Sequence, residues 1–130
     1  MQKTPVISIV DDDESVRQAV RSLVCSLELD AQTFASAEEY LSSPYASETD
    51  CLISDVQMPE MSGIELQEHL AARGWRTPII FVTAFPDRRI EARAMKAGAI
   101  GFLNKPFDGQ ALIRCIDAAL ASRRGEAVRA

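Results

Sequence analysis

The chain has 130 residues, 47% of them hydrophobic and 25% charged, which is enough to bury one core without disulfides or a structural metal. A formal net charge of −5 argues against a nucleic-acid-binding face, and no apolar stretch approaches the length of a membrane span or has a signal-peptide pattern, so a cytoplasmic location is expected. The three cysteines, Cys25, Cys51 and Cys115, are odd in number and lack CxxC spacing; they are expected to be buried reduced thiols, not redox or zinc groups.

The first apolar run, Val6-Ile7-Ser8-Ile9-Val10, reads as a buried strand and ends in Asp11-Asp12-Asp13-Glu14. Two readings fit that acidic run. A solvated cap for the next helix suits Asp13 and Glu14; part of a charged site suits Asp11 and Asp12. Val16, Ala19, Val20, Leu23, Val24 and Leu27 then recur at helical spacing, with Arg17, Gln18, Arg21 and Ser22 opposite, so this helix should lay one face on a sheet. A short polar strand over residues 31–35 follows. Ser36-Ala37-Glu38-Glu39 has the pattern of a capping box and opens a helix through Tyr40 and Leu41 that Pro44 stops; residues 42–50 read as loop.

Cys51-Leu52-Ile53-Ser54 is long enough for a strand buried on both faces and too short for a helix, and Met58-Pro59 blocks helical continuation. Asp55 is thereby delivered at a strand's carboxyl end. Ligands bind at that edge in open α/β sheets, so Asp55 is a site candidate; the alternative is a turn or capping aspartate. Ser62 or Gly63 opens a helix with Ile64, Leu66, Leu70 and Ala71 that ends at Gly74. His69, the single histidine, lies on that helix away from any strand end and reads as a surface residue. Ile79-Ile80-Phe81-Val82 ends in Thr83-Ala84, and Pro86-Asp87 opens a fourth helix that runs to Gly98 with Arg88, Arg89, Arg93 and Lys96 outward, a basic face suited to a partner. Ile100-Gly101-Phe102-Leu103 ends in Asn104-Lys105-Pro106. After a Phe107-Asp108 start, Ala111, Leu112, Cys115, Ile116, Ala119 and Leu120 make the last amphipathic helix. Residues 1–123 are expected to form one domain and residues 124–130 a charged tail.

Strand-helix pairs in succession imply a parallel sheet with helices on both faces and right-handed crossovers. Strand ends then line up along one edge, gathering the acid run, Asp55, the Thr83 hydroxyl and the Lys105 ammonium. Several carboxylates within a few ångströms are unfavourable unless protons or a cation neutralise them. All-oxygen donors with room for waters and phosphate oxygens suit Mg²⁺ or Mn²⁺ better than Zn²⁺.

These residues carry a resemblance. Ile9-Val10-Asp11-Asp12-Asp13, Asp55-Val56-Gln57-Met58-Pro59-Glu60-Met61-Ser62-Gly63, Val82-Thr83-Ala84, Met95-Lys96-Ala97-Gly98-Ala99 and Lys105-Pro106-Phe107 stand where a response-regulator receiver domain of two-component signalling would have them, over about residues 4 to 123. The wording is most similar to receivers that precede helix-turn-helix transcription modules. The resemblance implies a five-stranded parallel sheet of order 2-1-3-4-5 with a flavodoxin-like fold. It also implies transfer of a phosphoryl group from the phosphohistidine of a sensor histidine kinase or phosphotransfer protein to Asp55, followed by slow hydrolysis, so that the chain acts only on itself and is not otherwise an enzyme. Mg²⁺ (or Mn²⁺) would be held by Asp12, Asp55 and the main-chain carbonyl of Gln57, with Asp11 acting through a coordinated water. Lys105, joined to Pro106 by a cis peptide bond, and Thr83 would complete the cradle. Thr83 and Phe102 would switch the surface of the fourth helix, fifth strand and fifth helix, where a homodimer partner or effector docks. Gln57 and Phe85 would tune the phosphoryl lifetime; Phe85 reads equally as a solvent-facing aromatic. The chain is expected to be a stand-alone receiver or the N-terminal part of a longer regulator.

Other classes fit less well. A flavodoxin-like electron carrier would follow its first strand with a Ser/Thr/Gly phosphate loop, which Asp11-Asp12-Asp13 would repel. A haloacid-dehalogenase-type phosphatase would carry a DxDx(T/V) signature and more chain for a cap. A receiver that has become a pure interaction module would lack one of the site residues, and all are present here.

Overall fold

The computed structural model describes residues 4–123, so the expected tail lies outside the described residues. The elements alternate: β1 (Val6–Val10), α1 (Glu14–Ser26), β2 (Asp30–Phe34), α2 (Ala37–Leu41), a 3-10 turn (Ala46–Glu48), β3 (Cys51–Asp55), α3 (Gly63–Ala72), β4 (Ile79–Thr83), α4 (Arg88–Lys96), β5 (Gly101–Asn104) and α5 (Gly109–Arg123). The five strands form one parallel sheet in the order β2-β1-β3-β4-β5. β1, β3 and β4 are buried at every position, which is why they read as unbroken apolar runs without alternation.

The two faces bury separate clusters. Ile7, Ile9, Cys51, Ile53, Ile80 and Val82 meet Val20 and Val24 of α1 and Leu112 and Ile116 of α5. Val10, Leu52, Ile79 and Phe81 meet α2, α3 and α4 through Tyr40, Leu66, Leu70 and Ala94. Helix starts follow the chemistry expected of them. Asp13 caps α1, Ser62 and Glu65 form a reciprocal capping box on α3, and Asp87 caps α4. Gly74 and Gly98 take positive φ at the ends of α3 and α4, a conformation that costs glycine nothing.

Several expectations need correcting. Cys25 is exposed, because Val20 and Val24 set the buried stripe of α1 and residue 25 turns a further 100° or so away. Ala19 is exposed for the same reason. Cys51 is buried and Cys115 half-buried, and burial pushes both thiols above the ordinary cysteine value, so neither is a ready nucleophile. At α2 the Glu39 carboxylate accepts from Ala35 N–H and not from the cap residue Ser36, leaving half of a capping box. The stretch 42–50 is not featureless. Its 3-10 turn delivers Thr49, only 1% exposed, whose hydroxyl meets Ser8 at 2.7 Å and Tyr40 at 2.9 Å, satisfying polar groups that the core would otherwise strand.

Gly63 lets the start of α3 lie against the backbone of the β3 end. A Cβ there would sit 2.2 Å from the Asp55 carbonyl oxygen and 3.1 Å from the Phe81 ring. Gly63→Ala is therefore expected to destabilise the fold by about 3 kcal/mol through overpacking, read from urea denaturation with an unchanged m-value. A loss below about 0.5 kcal/mol, within the ordinary range for surface changes, would show that the contact relaxes freely.

Candidate functional site

β1 and β3 are neighbours in parallel, with Val10 opposite Ser54, so the next residues, Asp11 and Asp55, leave the sheet side by side at its carboxyl edge. Asp12 follows on the exposed turn. One carboxylate oxygen from each of Asp11, Asp12 and Asp55 lies within 4.8 Å of the others. Two unit charges at that separation repel by roughly 3–4 kcal/mol at an effective dielectric of about 20.

Lys105 answers part of that repulsion. Its ammonium donates to Asp11 Oδ2 at 2.8 Å and stands 3.3 Å from Asp55 Oδ2, with the lysine side chain 16% exposed. The Lys105-Pro106 peptide bond is cis, and the Lys105 N–H donates to the Thr83 carbonyl at 2.7 Å, tying the end of β5 to the end of β4. Burial pulls the Lys105 ammonium down, but the Asp11 hydrogen bond and the charges of Asp11 and Asp55 outweigh it and hold the group above the ordinary lysine value. Burial raises Asp55 above the ordinary carboxylate value and the Asp11 charge adds to it, against the pull of Lys105. Asp13 stands apart: its carboxylate accepts the Ser15 hydroxyl and N–H, which lower it, so it is spent on capping α1.

Three carboxylates and one ammonium leave two negative charges, the complement of one divalent cation, and every donor is a hard oxygen. The residues fit Mg²⁺ or Mn²⁺ on charge and ligand type.

The other expected residues surround this centre. Asp12, Asp55, Gln57, Ala84, Phe85 and Lys105 line an open cleft of about 280 Å³, with Asp13 at its edge on the α1 side. The Gln57 N–H donates to Asp55 Oδ1 at 3.3 Å, and the Gln57 side chain is exposed. Thr83 is buried and its hydroxyl accepts the Phe85 N–H at 3.0 Å, so it is engaged along β4's end and not with Asp55 or Lys105. The Phe85 ring is 65% exposed over the cleft. Phe102 is half-buried beside Phe81, ring centres 6.1 Å apart, and is not among the residues that line the cleft. His69 is exposed on α3, as expected. A cleft of about 260 Å³ near Trp75, Arg76 and Ser122 has no carboxylate in its lining, so its size carries no chemistry.

Arg17 was not legible as a site residue. Periodicity puts it opposite the apolar stripe of α1, yet it is half-buried and its guanidinium donates to the Asp11 main-chain carbonyl at 2.7 Å. The available signal was its position in the helix directly after the acidic turn, since helical side chains lean toward the N-terminus.

The raised Asp55 value has a consequence for stability. The folded chain holds that proton more tightly than the unfolded one, so stability falls as pH rises from the ordinary carboxylate value through the raised one, and stays lowered above it. Asp55→Asn removes the ionisation. In the absence of divalent cations the variant is expected to melt at a higher temperature than wild type at neutral pH, with the gain shrinking as pH drops below the carboxylate range. A pH-independent difference would contradict this origin.

Comparison with known proteins matches residues 7–117 to the response regulator receiver domain. The transcriptional regulatory protein TdiR of Thauera aromatica is 41% identical over 91% of this chain and 52% of its own length. The response regulator protein TodT of Pseudomonas putida is 43% identical over the same 91% and 52%. The structure of the response regulator StyR superposes with a TM-score of 0.87 at 44% identity, over 95% of this chain and 63% of that one. The chain spans about half the length of the curated relatives it matches. With the 2-1-3-4-5 parallel sheet and a family match over most of its length, the chain belongs to the response regulator receiver domain family.

Proposed function

We propose that Asp55 accepts a phosphoryl group from the phosphohistidine of a sensor histidine kinase or phosphotransfer protein. The observation that carries this reading is the Lys105 ammonium held between Asp11 and Asp55 at a strand edge, beside an open cleft. A carboxylate oxygen of Asp55 attacks phosphorus as the bond to the imidazole nitrogen breaks, giving an acyl phosphate. No general base is needed, because a carboxylate attacks without giving up a proton. Charge spreads over the transferred oxygens in a loose transition state, so the work of the site is positioning and charge compensation, with Lys105 as the cationic group in place. Asp12, Asp55 and the Gln57 carbonyl would hold Mg²⁺ or Mn²⁺, with Asp11 acting through a coordinated water, and the cation supplies further compensation of that charge when bound. Hydrolysis of the acyl phosphate by water resets the site.

The test is a mass gain of one phosphoryl group on incubation with acetyl phosphate and Mg²⁺, lost in Asp55→Asn while the variant remains folded. Equal yield in the variant would remove Asp55 as acceptor.

Thr83 and Phe102 then relay the state. An incoming phosphoryl oxygen competes for the Thr83 hydroxyl, which now accepts from Phe85, and the space that Thr83 vacates admits Phe102. The outcome is a reshaped α4-β5-α5 surface on which a second copy or an effector docks. TdiR is named as a transcriptional regulatory protein, which supports a role as the receiver half of a transcription regulator. Beryllofluoride, standing in for the phosphoryl group, is expected to shift the NMR signals of Phe102 and α4; unchanged signals there would refute the relay.

Phe85 bears on lifetime. Its exposed ring lines the cleft and offers water no hydrogen bond, so it obstructs the approach of an attacking water. Phe85→Ala is expected to shorten the aspartyl-phosphate half-life severalfold, followed by intact mass after the phosphodonor is removed, with early phosphorylation yield near wild type. An unchanged or longer half-life would show that the ring does not shield the phosphoryl group.

A further inference from the structure

The acidic turn is pinned unevenly. Every polar atom of Asp11 has a partner: its N–H donates to the Phe34 carbonyl at 3.1 Å, Oδ1 accepts the Asp13 N–H at 2.9 Å, Oδ2 accepts Lys105 at 2.8 Å, and its main-chain carbonyl accepts Arg17 Nη1 at 2.7 Å. On the far side Asp13 is held by Ser15. Asp12 between them is exposed, and its carboxylate stands in the cluster on a turn whose backbone is held on both sides.

The Asp11 N–H is the last group that the sheet holds, through the Phe34 carbonyl, and among the described residues no sheet partner restrains the Asp11 carbonyl beyond it. Arg17 is the group that does. We infer that Arg17 is a positioning residue for cation binding: by holding the Asp11 carbonyl it fixes the turn that presents the Asp12 carboxylate to Asp11 and Asp55. This rests on the cation-binding reading proposed above.

Positioning by Arg17 and simple electrostatics have opposite signs. Arg17 brings a positive charge beside an acidic cluster, so a purely through-space role predicts that removing it tightens cation binding. A positioning role predicts the reverse, since the Asp12 carboxylate is freed to drift. Loss of an outer group that orients a ligand commonly weakens metal affinity by 10-fold or more, and about tenfold is expected here.

The experiment titrates Mn²⁺ into the protein and reads free Mn²⁺ by electron paramagnetic resonance, with no phosphodonor present. Wild type is compared with Asp55→Asn, Asp12→Asn, Arg17→Met and Arg17→Gln, each checked for a cooperative melting transition well above the temperature of the titration, so that one folded Arg17 variant suffices. Binding in the Arg17 variants is expected to weaken about tenfold, and Arg17→Met placed on Asp12→Asn is expected to cause no further loss, because the effect runs through Asp12. Unchanged or tighter binding in the Arg17 variants would overturn the inference alone, as would an equal further loss in the double variant. If wild type showed no binding that depends on Asp55, both the inference and the reading beneath it would fall.

Discussion

The ammonium of Lys105 between the carboxylates of Asp11 and Asp55 is the contact on which the rest of the molecule converges. Two acids, 1% and 6% exposed, repel each other side by side, and a lone lysine compensates only one negative charge. The topology makes the conflict unavoidable. A β2-β1-β3 order in a parallel sheet sends the ends of β1 and β3 out at the same edge, and the same rule brings Thr83 and Lys105 there from β4 and β5. Charge left over at the centre is then an invitation to a cation and to a group whose oxygens can use the ammonium, which is the chemistry of phosphoryl transfer.

The surroundings divide into fixed and loosely held parts. The acidic turn is clamped by Asp13, Ser15 and Arg17, and α3 is locked onto the β3 end by its capping box and by the close approach of Gly63. In contrast α4 has one fully buried side chain, Ala94. Its ties to α3 are a hydrogen bond from buried Gln67 to the Ala94 carbonyl at 3.2 Å and an exposed ion pair between Arg93 and Glu68. Exposed pairs of that kind are worth little. A helix so lightly anchored is the element whose position a small change at Thr83 can bias, which supports the relay proposed for the α4-β5-α5 surface.

Much of this was legible in the chain because the cues were local. Asp55 was placed by an apolar run too short for a helix and a Met58-Pro59 stop, α1 by apolar residues at helical spacing, and the starts of α3 and α4 by Ser62 or Gly63 and by Pro86-Asp87. What could not be read depended on partners far along the chain or on side-chain reach. The Thr49 hydroxyl finds Ser8 across 41 positions, so a stretch that looks like open loop is a packed plug. Lys105 was placed at the edge, but its stronger bond to Asp11 than to Asp55 needed the register of β1 against β3. Arg17 was hidden by counting helical faces, which locates its Cβ and ignores a long side chain that turns back to the strand end.

The central claim is that Asp55 is the residue that becomes an acyl phosphate, and its position can be read chemically. An acyl phosphate is reduced by borohydride to an alcohol, so a phosphorylated aspartate becomes homoserine at the same position. The account predicts that, after treatment with acetyl phosphate and Mg²⁺ and then borohydride, peptide mass spectrometry finds homoserine in place of Asp55 and at no other aspartate. Homoserine at Asp11, Asp12 or Asp13, or its absence from a protein that had gained a phosphoryl group, would contradict it.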